Sequence, residues 1–322
     1  MILKELIELF MKYKEKRIKS SSFYNYKNLI KMFFKVYDEK TDLKDLTNIK
    51  LQFGLDNFGE NHKKSSSAIL LNLIKSIVSF AVRFNFLPEN QINLKYLEIL
   101  PKRKTIEDIK KEKENKEIIY SLDDLDHIFS KIKKVDEDEK FIFYFGLNTG
   151  MRIGEILGLT WDDINLNNNT IEITKNFLKN IKKIDTPKTL SSVRTIYISD
   201  DVKKELIKIK TNQMKNKFKM GKKYIREYLN NKELDYVFRR KNGEKITYNF
   251  LLNTIKKIKK IDKNFHFHLL RHSFCSQYLQ NGVDVIHVAK ILGHSSVNTT
   301  LRIYSHIKKD DIINVMKKVN IQ

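Results

Sequence analysis

The feature that most restricts the fold is a run that cannot enter a core. Between Pro101 and Lys116 the chain reads PKRKTIEDIKKEKENK, dense in both charges and nearly free of apolar side chains. Burial of so many charges is prohibitive, so the run suits a solvated linker or an isolated helix. It parts the sequence into two blocks, each long enough to hold its own core. The expected boundaries are a front domain over residues 1–101, the linker over 102–117 and a second domain over 118–322.

In the front block apolar residues recur at three- and four-residue steps: Leu3, Leu6, Ile7, Phe10; Tyr26, Leu29, Ile30, Phe33; Ile69, Leu73, Ile77, Phe80, Phe84. That period predicts a small all-helical domain. Ser20–Ser22 and Ser65–Ser67 precede two of these segments, and their hydroxyls are expected to cap helix amides. The second block opens on a capping box, Ser121 with Asp124, ahead of Leu125, Ile128 and Ile132. TIEIT (Thr170–Thr174) and VRTIYI (Val193–Ile198) have the β-branched bias of short strands, the first preceded by the turn Asn167–Asn169. Helical patterns return after Ser199, near Tyr248–Ile261, through Leu269–Leu279 and over Lys309–Val319. The expected fold class is mainly α with a small antiparallel β-sheet, in two domains.

Charge narrows the partner. The 62 basic residues exceed the 39 acidic ones by 23. Residues 1–120 carry 24 basic and 16 acidic side chains and the remainder 38 and 23, so both halves are basic. A chain positive throughout is expected to face a polyanion with both parts, and double-stranded DNA leads. Cys275 is the only cysteine, which forbids an intrachain disulfide and fits a reducing, cytoplasmic setting. The amino terminus lacks the apolar core of a signal peptide, and no apolar run approaches the ~18 residues of a membrane span, so no membrane partner is expected.

Three segments carry chemistry. In NTGMRIGEILGLTWDDI, Arg152 follows Gly150 at the expected start of a helix. A cation there opposes the macrodipole but suits a bound phosphate; the plain alternative is a surface pair with Glu155. In HFHLLRHSFCSQYL, His268 and Arg271 are three apart, on one helix face, while Leu270, Phe274 and Tyr278 serve the core. A guanidinium donates two hydrogen bonds to a phosphate and stays charged. His266, His268, His272 and Cys275 could be drawn as zinc ligands, but no second ligand pair such as Cys-x-x-Cys exists, and no metal or other cofactor is expected. In ILGHSSVNTTLRIYSHI, His294 sits on a Gly-Ser turn and Tyr304 follows ten residues later.

Together these segments resemble the tyrosine recombinase (phage integrase) family. Arg152 stands in Thr-Gly-x-Arg-x-x-Glu, His268 and Arg271 in His-x-x-Arg, His294 in Leu-Gly-His-Ser and Tyr304 in Tyr-x-His, in the family's order and approximate spacing. The resemblance spans most of residues 118–307. The front domain is similar to the family's core-binding (SAM-like) domain in size and pattern only. The resemblance implies a catalytic second domain and site-specific cleavage and rejoining of DNA through a 3′-phosphotyrosine, without metal or ATP. It makes Tyr304 the nucleophile and His268 the base, with Arg152, Arg271 and His294 on the phosphate. A hairpin lysine is also implied: Lys188 in TPKTLSSVRTIYI is the best match, with Lys179, Lys182 and Lys183 in the same connection.

The resemblance further implies two domains closing on the duplex as a clamp and a homotetramer on synapsed DNA. The stripe Ile312, Ile313, Met316 and Val319 would pack on a neighbour or on its own domain. With about a hundred residues ahead of the linker, no extra arm-binding domain is expected, which favours a simple recombinase of the Xer type. A type IB topoisomerase-like activity and a catalytically silent DNA-binding protein are the alternatives. The sequence leaves open the target site and the choice among integration, excision, inversion and dimer resolution. If each protomer neutralises ~10 phosphates, log affinity for DNA falls against log salt with a slope of about −9 in a filter-binding titration; a nearly flat line would contradict the clamp.

Overall fold

The computed structural model describes residues 1–100, 118–178, 183–185 and 193–301. The chain divides into two compact units, Met1–Asn115 and Lys116–Gln322. The expected linker over 102–117 and the carboxyl-terminal helical pattern over Lys309–Val319 lie outside the described residues.

The first unit packs α1 (Leu3–Glu15), α2 (Ser20–Phe33), α3 (Asn48–Asn61) and α4 (Lys64–Arg83) around one core. Leu6, Phe10, Phe33, Leu51, Leu55, Leu70, Ile74 and Ala81 fill it, which is the three- and four-residue period expressed as packing. The serines do not cap as expected. Lys19 and Lys63 hold the N-cap positions, so Ser20 and Ser65–Ser67 fall inside the first turns, and no side-chain cap forms. Helix α4 also amends the membrane reading, since by length and hydropathy alone it could cross a bilayer. Its buried stripe, from Leu70 through Ile74 and Ile77 to Ala81, lies in the core.

The second unit starts with the expected capping box: the Asp124 amide donates to Ser121 Oγ at 3.1 Å and the Ser121 amide to Asp124 Oδ2 at 2.8 Å. This opens α5 (Leu122–Ser130), followed by α6 (Glu137–Thr149) and the short α7 (Ile153–Gly158). Strands β1 (Ile164–Asn165), β2 (Thr170–Ile173) and, after the short antiparallel pair β3 (Asn176–Leu178) and β4 (Lys183–Asp185), β5 (Arg194–Tyr197) come next. β2 lies between β1 and β5, antiparallel to both, with Ile171 opposite Ile196 and Ile173 opposite Arg194. Then follow α8 (Asp200–Met220), the two-residue strands β6 (Tyr228–Leu229) and β7 (Lys232–Glu233), α9 (Tyr248–Ile261), α10 (His268–Gln280) and α11 (Val285–Leu292).

The main core of this unit gathers Phe143, Phe145, Ile156, Ile171, Leu206, Val237, Leu251, Phe265 and Leu270 from nearly every element. A smaller cluster of Phe274, Cys275, Leu279, Val288 and Leu292 seats α11 on α10. The incoming chain is tied to α10 as well: the Tyr120 amide donates to Ser273 Oγ at 2.7 Å and Gln277 Nε2 to the Tyr120 carbonyl at 2.8 Å.

Gly150 ends α6 in the left-handed region at φ +61°, and a Cβ there would lie 2.6 Å from Phe274 Cδ1 and 2.7 Å from Leu292 Cδ2. Only glycine lets α6 turn this close to α10 and α11. Gly150→Ala combines left-handed strain with overpacking and is expected to cost about 2 to 4 kcal/mol in a urea unfolding titration. A loss below about 0.5 kcal/mol, within the range of ordinary surface substitutions, would contradict this packing.

Candidate functional site

Helix α11 ends in a Schellman turn. Gly293 takes the left-handed conformation at φ +67°, its amide donates to the Lys290 carbonyl and the His294 amide to that of Ala289, each at 3.0 Å. Those two bonds leave the next three carbonyls open, and arginines fill them in order. Arg194 Nε donates to Ile291 O at 2.6 Å, Arg271 Nη2 to Leu292 O at 2.5 Å and Arg152 Nη2 to Gly293 O at 3.1 Å. The negative end of the helix dipole thus gathers three guanidinium groups from α7, β5 and α10 beside the turn that carries His294.

A buried carboxylate completes the cluster. Glu155, 5% exposed, accepts from the Arg152 amide at 2.9 Å, from Arg152 Nη1 at 2.8 Å and from Arg194 Nη1 and Nη2 at 3.1 and 2.9 Å. Burial alone would raise its pKa. The Arg194 hydrogen bonds and charge, with help from Arg152, overcome this and hold the carboxyl below its ordinary value. The expected Arg152–Glu155 pair therefore exists, but with its carboxylate in the interior. Arg152 is the N-cap of α7 and has a side chain 35% exposed, whereas Arg271 is buried and its Nη1 also donates to Gly150 O at 2.8 Å. Three arginines against one carboxylate leave a net positive centre whose accessible member is Arg152.

His268 opens α10, and His294 Nδ1 lies 2.8 Å from the hydroxyl of buried Thr300. With that hydroxyl donating, neutral His294 carries its proton on Nε2 and can donate from there. Both imidazoles are pushed down to about 4: His268 by burial, then by His272, Arg271, His266 and Arg152, and His294 by burial, then by Arg271, Arg152, His268 and Arg194. Arg152, His268, Arg271 and His294 therefore form one electrostatic unit. Such a centre can bind a phosphate, donate to its oxygens and, through a neutral imidazole, accept a proton.

Lys188 and Tyr304 lie outside the described residues, as do Lys179 and Lys182. Among the described residues no group of three His, Cys, Asp or Glu side chains could hold a metal ion, so His266, His268, His272 and Cys275 do not form the zinc set that the sequence allowed. Two participants escaped the sequence reading: Glu155 as an interior anchor and Arg194 altogether. A signal for Arg194 existed, because it shares the inward face of its strand with Ile196 and Ile198.

The phage integrase family model matches residues 120–311. The tyrosine recombinase XerC-like protein of Caldanaerobacter subterraneus subsp. tengcongensis is 30% identical over 278 residues, 80% of this chain and 66% of the relative. The transposase of transposon Tn916 from Enterococcus faecalis is 31% identical over 185 residues, 54% of this chain and 44% of the relative. The chain thus spans less than two thirds of the length of these relatives. Among solved structures, the Tn1549 transposon integrase in complex with transposon right-end DNA superposes with a TM-score of 0.74 at 19% identity, covering 99% of both chains. A λ integrase dimer bound to a core site gives 0.65 at 15% identity, covering 94% of this chain and 95% of that one. Both share the fold, mainly helical with small antiparallel sheets.

The unfolded chain takes up protons on histidine near the ordinary value of 6.5, whereas His268 and His294 resist them until about 4. Stability therefore falls as pH drops from 6.5 towards 4, because the unfolded state binds more protons across that window. Ring-proton NMR titration is expected to show both imidazoles neutral at pH 6; midpoints near 6.5 would mean that neither ring sits among the arginines.

Proposed function

Because this chain belongs to the phage integrase family, we propose that it is a site-specific DNA recombinase that cuts and rejoins DNA strands through a covalent bond to Tyr304. The observation that carries the proposal is the convergence of Arg152, Arg271 and the His294 turn on the end of α11, with His268 three residues before Arg271 on α10. Residues 118–322 are the catalytic domain and residues 1–101 a core-binding domain, joined by the linker over 102–117.

In this reading Tyr304 Oη attacks the scissile phosphorus. A phenol with a pKa near ~10 is mostly protonated at neutral pH, and neutral His268 takes its proton. Arg152, Arg271 and His294 donate to the nonbridging oxygens as charge builds on them, each such donor typically being worth roughly 3 to 4 kcal/mol. The O5′–P bond breaks as the Tyr304–P bond forms, and Lys188 supplies the proton that the departing 5′ oxygen needs. The 3′-phosphotyrosine conserves the energy of the broken phosphodiester, so a 5′ hydroxyl from another strand can attack it, break the Tyr304–P bond and rejoin the DNA.

Double-stranded DNA is the partner, and the working form is a homotetramer on two synapsed sites, consistent with a λ integrase tetramer seen on a Holliday junction. We assign this work to the cytoplasm. The similarity to a XerC-like recombinase and to transposon transposases fits either dimer resolution or movement of a mobile element. On a nicked suicide substrate the natural chain is expected to form a covalent adduct, and Tyr304→Phe to bind the same DNA without forming one. An adduct from Tyr304→Phe would move the nucleophile elsewhere.

A further inference from the structure

Arg194 is the arginine of the cluster to which the proposed cleavage assigns no contact. Its side chain, like that of Arg271, is buried, at 6% exposed. Its fork embraces both oxygens of Glu155, its Nε holds the Ile291 carbonyl, and its backbone pairs with Ile173 in the sheet. It occupies the inward position of a strand whose next inward positions are Ile196 and Ile198. An apolar residue there would extend the core, and a buried ion pair adds little net stability over such a replacement. What the arginine adds is geometry. Glu155 Oε1 accepts from both Arg194 Nη1 and Arg152 Nη1, so the orientation of the carboxylate set from the sheet side fixes that of Arg152.

We infer that Arg194 is a positioning residue for strand cleavage, clamping Glu155 and the end of α11 so that Arg152 and the His294 turn meet the phosphate in fixed register. Without it, Glu155 faces the interior with Arg152 as its one remaining guanidinium among these contacts, and draws that side chain away from the DNA. This inference rests on the proposed cleavage activity.

The test uses the full chain and a nicked suicide DNA substrate, with site binding, thermal unfolding and the single-turnover rate of adduct formation at saturating DNA measured on Arg194→Met, Arg194→Lys, Arg152→Ala and Arg152→Ala/Arg194→Met. For Arg194→Met the expected result is a rate loss of roughly tenfold or more, with site affinity kept within about threefold. In the Arg152→Ala background the same substitution is expected to slow the rate by a smaller factor than in the natural chain, because one of the two groups it positions is already gone. Full loss in both backgrounds, or a wild-type rate at saturation with weakened binding, would overturn the inference. Should Arg194→Met fail to fold, Arg194→Lys decides: it keeps the charge without the fork, so a slowed rate with intact binding supports the clamp and a wild-type rate overturns it. Absence of any adduct from the natural chain would be a failure of the proposed activity itself, distinct from either result.

Discussion

The site is organised by the carbonyl end of one eight-residue helix, Val285–Leu292. A helix leaves its last carbonyls without intrahelical donors and concentrates negative potential there. In this chain a glycine turn satisfies Ala289 and Lys290, and three guanidinium groups take Ile291, Leu292 and Gly293. Residues from α7, β5 and α10 are thereby held at one point, although no two of those elements are consecutive in the chain. The arginines need no ligand to remain together, because backbone oxygens and Glu155 compensate them.

The compensation is incomplete by design of the charges: three cations face one carboxylate in a largely buried setting. Burial first, and then the same excess of positive charge, hold the pKa values of His268 and His294 down, since a further positive charge there would be both desolvated and repelled. In the proposed reaction a phosphodiester entering beside half-buried Arg152 would relieve the imbalance. Neutral imidazoles are the form that can accept a proton or donate a neutral hydrogen bond, so one electrostatic arrangement sets both a preference for anions and the protonation states that the proposed cleavage needs.

Much of this was legible in the sequence, for physical reasons. Helix period located the elements of both units, and strand bias found β2 and β5 to within a residue. Arg152, His268, Arg271 and His294 stood out because their residue types suit a phosphate and their motifs keep a recognisable order. What was misread depended on environment. Glu155 resembled a surface partner because an i, i+3 pair gives no hint that the carboxylate points inward. Arg194 was passed over because strand bias weighs backbone preference, whereas its role comes from contacts 39 and 97 residues away. The serine caps failed because the helices begin earlier than the serines require: Lys19, one residue before Ser20, and Lys63, two before Ser65, take the N-cap positions. Lys188 and Tyr304, outside the described residues, rest on their motifs.

The central claim is that Arg152 and Arg271 grip the phosphate that Tyr304 attacks. The most direct measurement is a crystal structure of the chain on its target site with the nucleophile poised but unreacted. Nonbridging oxygens of the scissile phosphate within ~3 Å of Nη atoms of Arg152 and Arg271, and of His294 Nε2, are the predicted result. A scissile phosphate held elsewhere, with those guanidinium groups still committed only to carbonyls and Glu155, would contradict it.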